Sequence, residues 1–299
     1  MATPKSKEVV TKEAPANAVA TVAPSFMKGD AGLGTEQLQS SDLEIPRLVL
    51  LQSLSKQVVA GDERAGVFYH TILEEQVGEK GQPLRVVPIY ADIKYILWRP
   101  RHEGGGILAR AEKQADGKFH WNIPNASFDV KPYKDRPTVV KWETKNTIED
   151  SGLGSFGSSD PNDPNSQPAA VKMWNFVVVL PDFPHLGPMV LTLQRGAAKV
   201  GANFSAKLKF DGSGAPSFGQ VFNVSSKVEN SGSGDFYNMS FERSGYVTEE
   251  ADYLAYKELY KRFSENGVQI KDLEGAQDEN GSTASRGAAP VDHPDDIPM

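Results

Sequence analysis

Aromatic and cationic side chains alternate along one mainly apolar stretch, Leu84–Trp98. In a strand, side chains two positions apart lie on the same face, so Tyr90, Lys94 and Trp98 share one face of it. Flat aromatic rings stack on the bases of a single nucleic-acid strand, while nearby cations neutralise its phosphates. The spacing therefore predicts a surface that binds single-stranded nucleic acid.

The same combination recurs further along the chain. On the next strongly predicted strand, Val171–Leu180, the side chains of Lys172, Trp174 and Phe176 share a face. A strand Trp is often a core residue, and a Lys near a helix end also favours the helix dipole, so no single residue carries the prediction. Recurrence on two strands favours binding, with further candidate contacts at Arg99, Arg101, Tyr133, Lys134, Trp142 and Lys207.

Residues for catalysis or metal binding are poorly represented. The chain has no cysteine, and its five histidines are scattered without the spacing of a metalloprotease helix. Gly152–Gly157 matches a dinucleotide-binding glycine pattern, but the Ser, Asp and Pro residues that follow cannot begin a helix. We therefore expect a binding protein, not an enzyme, with no cofactor and no metal.

Nearly all of the net negative charge lies in the C-terminal tail. The net charge is −7. Residues 1–42 hold four Lys and five acidic residues, and residues 272–299 hold one Arg and seven acidic residues. The body, residues 43–271, is therefore neutral and can still carry a local basic groove.

These candidate residues need a sheet to position them. Composition predicts a disordered N-terminal arm at 1–42, a folded domain at 43–271 and a disordered acidic tail at 272–299. Within the domain, the predicted order is one strand, a long insertion at 99–170, two strands, a helix and two more strands. An amphipathic helix follows at 248–264. This mainly β order with helices (α+β) fits an OB-fold-like five-stranded barrel with an elaborated first connection, although another α+β arrangement remains open.

The last five residues are two adjacent carboxylates followed by apolar residues: Asp295, Asp296, Ile297, Pro298 and Met299. This ending resembles the acidic tip of bacterial single-stranded DNA-binding proteins, with Met in place of the usual Phe. Together with the element order and the aromatic strands, it makes the chain resemble the single-stranded DNA-binding proteins of bacteriophages.

The resemblance implies a function in phage DNA replication, recombination or repair. The domain would coat and protect single-stranded DNA without sequence preference, and the tip would recruit replication or recombination proteins. It implies the cytoplasm of an infected bacterial host, no membrane partner, and leaves self-association into a homo-oligomer open. Two alternatives are a phage protein that inhibits a host enzyme without binding DNA, and a recombination protein that anneals strands.

Overall fold

The computed structural model describes residues 45–210, 214–231 and 234–266. The predicted arm, the predicted tail and the predicted partner-binding tip Asp295–Met299 lie outside these ranges. No helix within them is long and apolar enough to cross a bilayer.

The described residues are mainly β-structure with a few helices, which confirms the predicted fold class. The helices are α1 (Lys56–Val59), α2 (Ile148–Ser151), α3 (Ala198–Phe210) and α4 (Glu250–Asn266). The strands are β1 (Leu48–Leu50), β2 (Phe68–His70), β3 (Glu75–Val77), β4 (Leu84–Trp98), β5 (Ile107–Lys113), β6 (Phe119–Trp121), β7 (Ser127–Val130), β8 (Val140–Glu143), β9 (Ala170–Val179), β10 (Met189–Gln194), β11 (Gln220–Ser231) and β12 (Gly234–Tyr246).

Strand β4 organises the largest sheet. The path through that sheet is β10-β9-β4-β11-β12, and β5 also pairs with β4 and with β6. β4 pairs with β9 along residues 87–97, with β11 through residues 84–86, and with β5 through residues 94–98, always antiparallel. Smaller sheets consist of β1-β2-β3 and of β7-β8.

Helix α3 covers one face of this sheet, called here the inner face. The predicted stripe of Val200, Phe204 and Leu208 packs into the core. The ring of Phe204 stacks on Phe241, with centroids 4.0 Å apart, and meets Phe222 edge-on at 5.1 Å. Aromatic packing of this kind contributes beyond area burial, so α3 is held firmly on the sheet.

Helix α4 covers part of the opposite, outer face and confirms the predicted C-terminal amphipathic helix. Its aromatic and aliphatic side chains pack against apolar residues of β4, β9 and β10. The ring centroid of Tyr253 lies 5.4 Å from that of Phe218.

The segment between β4 and β9 has a core of its own. Trp121 and Trp142 are buried there with residues of β5, β7 and α2. The indole N–H of Trp142 donates to the Ser159 carbonyl at 3.1 Å, and that of Trp121 donates to the Thr147 carbonyl at 3.1 Å. This segment covers the inner face at the C-terminal end of β4, beside Leu97.

The predicted five-stranded barrel does not close within the described residues. Closure would require β10 and β12, the two ends of the strand path, to pair with each other. Instead β1 contacts both strands. Gln52, just after β1, pairs with the backbone of Tyr237 on β12, donating to its carbonyl at 2.8 Å and accepting from its N–H at 2.9 Å. The five predicted strands and both predicted helices form, but β1 and Gln52 occupy the gap.

We predict that Gly201→Ala destabilises the protein. A Cβ at this position would lie 2.9 Å from the Trp174 ring, so α3 would have to move off the sheet. Overpacking of this kind costs about 1–3 kcal/mol of unfolding free energy, even though Ala is the better helix former. Denaturant unfolding measures the change.

Gly196→Ala is the matched control, because a Cβ added at Gly196 would lie no closer than 3.8 Å to any described residue other than its chain neighbours. It should change the unfolding free energy by less than about 0.5 kcal/mol. Equal stability of the two variants would contradict the close contact between α3 and Trp174.

Candidate nucleic-acid interface

The register between β4 and β9 determines which candidate side chains meet. Tyr95 lies opposite Lys172, and Ile93 lies opposite Trp174. Directly opposed residues point to the same face, so Lys172 and Trp174 share the inner face with Tyr95. Tyr90, Lys94 and Trp98 point to the outer face. The two sets of residues predicted from the sequence therefore lie on opposite sides of the sheet.

On the inner face, four side chains form what we call the Lys172 cluster: Tyr95, Phe119, Lys172 and Trp174. The Lys172 ammonium lies 5.0 Å from the Trp174 ring, 5.5 Å from the Tyr95 ring and 5.9 Å from the Phe119 ring. Tyr95 and Phe119 meet edge-on at 5.1 Å. All three distances lie within cation–π range, so the rings hold the ammonium in a defined place.

The cluster lies on the strip of sheet between the two covers of the inner face. On one side, Gly201 of α3 packs directly against the Trp174 ring. On the other side, Gly154 approaches the Tyr95 ring, with 3.1 Å between a Cβ built there and Tyr95 Cε1. Trp174 is buried, whereas Tyr95, Phe119 and Lys172 remain half-buried. The strip thus exposes a cation and parts of two rings.

Burial and neighbouring charges set the electrostatics of the cluster. The pKa of Lys172 is lowered, mainly because the ammonium is partly buried. The nearby Glu149 carboxylate opposes this shift, and the Lys113 ammonium adds to it. Lys113 lies directly opposite Phe119 across β5 and β6, which places a second cation at the cluster's edge. An ammonium already partly stripped of water loses less hydration when it meets a phosphate.

The outer-face residues are less available to a ligand. Tyr90 packs against α4, 6.4 Å from the Tyr260 ring, and burial raises its pKa. Lys94 is only 7% exposed, and its ammonium pairs with Asp92 at 3.3 Å. Trp98 is half-buried, and its indole nitrogen is buried without a hydrogen-bond acceptor in the part of the chain that the structure describes.

Four predicted residues lie at the C-terminal end of β4 or in the loop beside it. Arg99 is half-buried and Arg101 is exposed. The turn that begins at Arg101 contacts the loop holding Tyr133 and Lys134, because the Lys131 backbone N–H donates to Glu103 at 3.0 Å. The first part of the insertion thus holds the cations Arg99, Arg101 and Lys134, with the Glu103 carboxylate among them.

The remaining predicted residues have structural roles. Phe176 is fully buried against Phe204, with ring centroids 4.7 Å apart, and Trp142 is buried in the insertion core. The Lys207 ammonium donates to the Phe241 carbonyl at 2.6 Å. The rings of Phe176 and Trp142 are therefore not open to a base in this structure, and Trp174 forms the buried floor of the Lys172 cluster.

Sequence reasoning missed Tyr95, Phe119 and Lys113. Tyr95 lies between Ile93 and Leu97 on the same face of the strand, so the sequence pattern predicts that this face belongs to the core. Phe119 and Lys113 belong to the insertion, and only strand pairing brings them to β4. Among the described residues, no group of three or more His, Asp or Glu side chains could hold a metal ion.

We predict that Glu149→Gln lowers the pKa of both Lys172 and Tyr95. The Glu149 carboxylate raises both values, so removing its charge removes that contribution. NMR titration of the lysine and tyrosine side chains measures both pKa values. Asp150→Asn, which removes the neighbouring carboxylate of α2, is the control and should leave both pKa values closer to those of the wild type. If Glu149→Gln left both pKa values unchanged, the placement of α2 beside the cluster would be contradicted.

Comparison with known proteins identifies one family. No curated protein matches the chain, and no solved structure matches it. The model of a family described as Pam3 phage gp34-like protein matches residues 14–269. That match spans the whole described part of the chain up to Asn266, including the Lys172 cluster and all the cores. The chain therefore belongs to the Pam3 phage gp34-like protein family, a bacteriophage family.

Proposed function

We propose that this phage protein binds single-stranded DNA without sequence preference. The observation that carries the proposal is the Lys172 cluster, where one ammonium is held among three aromatic rings on a strip of sheet that no other described segment covers completely. Such a site combines the two contacts that sequence-independent binding requires, base stacking and phosphate neutralisation.

Stacking supplies the first of these contacts. Tyr95 and Phe119 are half-buried, so each ring is fixed by its neighbours while part of it faces solvent. Fixed rings lose little conformational entropy when a base stacks on them, and each stacked base contributes about 1–3 kcal/mol. Every base has a flat face, so this contact does not depend on sequence.

Cations around the cluster supply the second contact. Lys172 lies within it and Lys113 lies at its edge. Arg99 and Arg101 lie beyond Leu97, which the insertion covers, and add two more cations at the end of β4. A single strand is favoured over a duplex because its bases are free to leave their own stack and meet a ring.

The biological role follows from this activity and from the sequence resemblance. We propose that the protein protects single-stranded DNA during phage replication, recombination or repair in the host cytoplasm. We also propose that the acidic segment Asp295–Met299 recruits replication or recombination proteins. A fold that exposes cationic and aromatic groups on one sheet face supports the DNA-binding part of this role.

We predict that Tyr95→Leu and Lys172→Gln weaken binding to a labelled oligothymidylate. Loss of the ring should reduce affinity about tenfold, because about 1–3 kcal/mol of stacking is lost. Loss of the cation should lower the slope of log affinity against log salt by about 0.7, the value for one phosphate contact. Fluorescence anisotropy suits this measurement better than intrinsic fluorescence, because Trp121, Trp142 and Trp174 are buried and a base could not stack directly on them to quench their emission.

Lys80→Gln is the control, since Lys80 is exposed in the turn between β3 and β4. It should bind like the wild type at every salt concentration. If the wild-type protein shows no salt-dependent binding to oligothymidylate, the proposal fails and a host-enzyme inhibitor becomes the better hypothesis. If the protein binds and also pairs complementary strands, an annealing function is added.

Deletion of Asp292–Met299 tests the recruitment proposal separately. The truncated protein should keep or gain affinity for DNA, because seven acidic residues lie in 272–299 and three of them are removed. It should lose the replication proteins that the full chain captures from infected cells. Capture of the same proteins by the truncated chain would refute the recruitment proposal and leave DNA binding unaffected.

A further inference from the structure

Helix α3 has a solvent face with a distinctive composition. Six of its residues are exposed, and at 100° per residue they fall on one side of the helix: Lys199, Ala202, Asn203, Ala206, Lys209 and Phe210. The opposite side carries Gly201 and Phe204, which are buried against the sheet. The exposed set is called here the α3 face, and within residues 45–210, 214–231 and 234–266 no segment covers it along the length of the helix.

The α3 face has positive charge and no negative charge of its own. Lys199, Lys207 and Lys209 are the charged residues of α3, and the helix has no Asp or Glu. Exposed helices ordinarily mix both signs of charge. The nearby strand β12 adds Arg243 on the inner side, and strand alternation turns its neighbour Glu242 to the other side. Such a surface complements a polyanion.

Phe210 is the most exposed large apolar side chain in the described residues, at 76%. The Lys209 ammonium lies 5.4 Å from its ring. The lysines near this end of the helix are explained by the helix dipole, but that effect gives no reason for an exposed Phe beside them. The pair repeats the combination of a cation and a ring found in the Lys172 cluster.

A second cation–aromatic pair lies at the same end of α3. The Arg243 guanidinium is 5.4 Å from the Tyr246 ring and donates to its hydroxyl at 3.2 Å. Gln220 joins this pair to the helix, because its amide donates to the Leu208 carbonyl at 3.4 Å and accepts from Arg243 at 2.7 Å. Two pairs are thus fixed around the C-terminal turn of α3.

Helix α3 connects these pairs to the Lys172 cluster. Gly201 packs on Trp174 of the cluster, and Phe210 lies nine residues further along the helix. At about 1.5 Å per residue this is about 14 Å. A stacked strand advances about 3.4 Å per nucleotide, so at least about four nucleotides would span the path, because the first base stacks on Tyr95 or Phe119, which lie further from α3 than Trp174.

We infer that single-stranded DNA held at the Lys172 cluster continues along the α3 face and stacks a second time on Phe210. The inference rests on the proposed function and adds a path and a minimum length to it. Lys199 and Lys209 contact phosphates along the way, and Phe210 stacks on a base at least about four nucleotides from the first stacked base.

The test compares Phe210→Ala with Val59→Ala on oligothymidylates of about 3 and about 12 nucleotides, lengths below and above the span of the path. Val59 is 70% exposed on α1 and controls for removal of an exposed apolar side chain. Phe210→Ala should weaken binding of the longer oligonucleotide about tenfold, because one stacked base is lost, and should weaken binding of the shorter one less than about twofold. The double variant Lys199→Gln/Lys209→Gln should lower the salt slope by about 1.4 on the longer oligonucleotide alone.

All these positions are exposed, so unchanged thermal unfolding is expected and verifies that the variants fold. Equal affinity of Phe210→Ala and Val59→Ala for the longer oligonucleotide would overturn the inference. If Lys172→Gln still weakened binding in that case, the proposed function would stand without the α3 path. If neither Phe210→Ala nor Lys172→Gln weakened binding, both would fail.

Discussion

The antiparallel ladder between β4 and β9 is the interaction on which the rest of the structure depends. It extends over residues 87–97 of β4 and places Lys172 beside Tyr95 and Trp174 beside Ile93. The same β4 also pairs with β11 at its start and with β5 at its end. One strand therefore links the α3 core, the α4 core and the insertion core, and a shift of one residue in its register would turn every side chain to the wrong face.

The site is a consequence of how these cores divide the inner face. Helix α3 covers the sheet beside β10 and β12, and the insertion covers the end of β4. The Lys172 cluster occupies the strip between them, so its rings have packed neighbours on two sides and solvent on another. This arrangement fixes the rings without closing the site, as the proposed binding of a flexible strand would require.

The open barrel has an equally local cause. The five strands follow the path that closure would need, but β1 lies between the two terminal strands and Gln52 satisfies the backbone of Tyr237. Burying unpaired strand edges is costly, so pairing of an edge with a side-chain amide is an effective substitute for a neighbouring strand. The gap is therefore filled by a segment that precedes the sheet in the chain.

Periodicity and composition alone predicted the strands β4, β9, β10, β11 and β12, the helices α3 and α4, and the mainly β fold class, because a long apolar pattern is local information. They also identified Lys172 and Trp174 as neighbours on one face. They could not show that Tyr90, Lys94 and Trp98 face the other way, that Phe176 is core, or that Tyr95 and Phe119 complete the cluster. Those facts depend on register and on the position of the insertion, which are contacts between residues far apart in the sequence. Only the tertiary structure fixes them, since alternation gives two faces of each strand but does not say which faces meet.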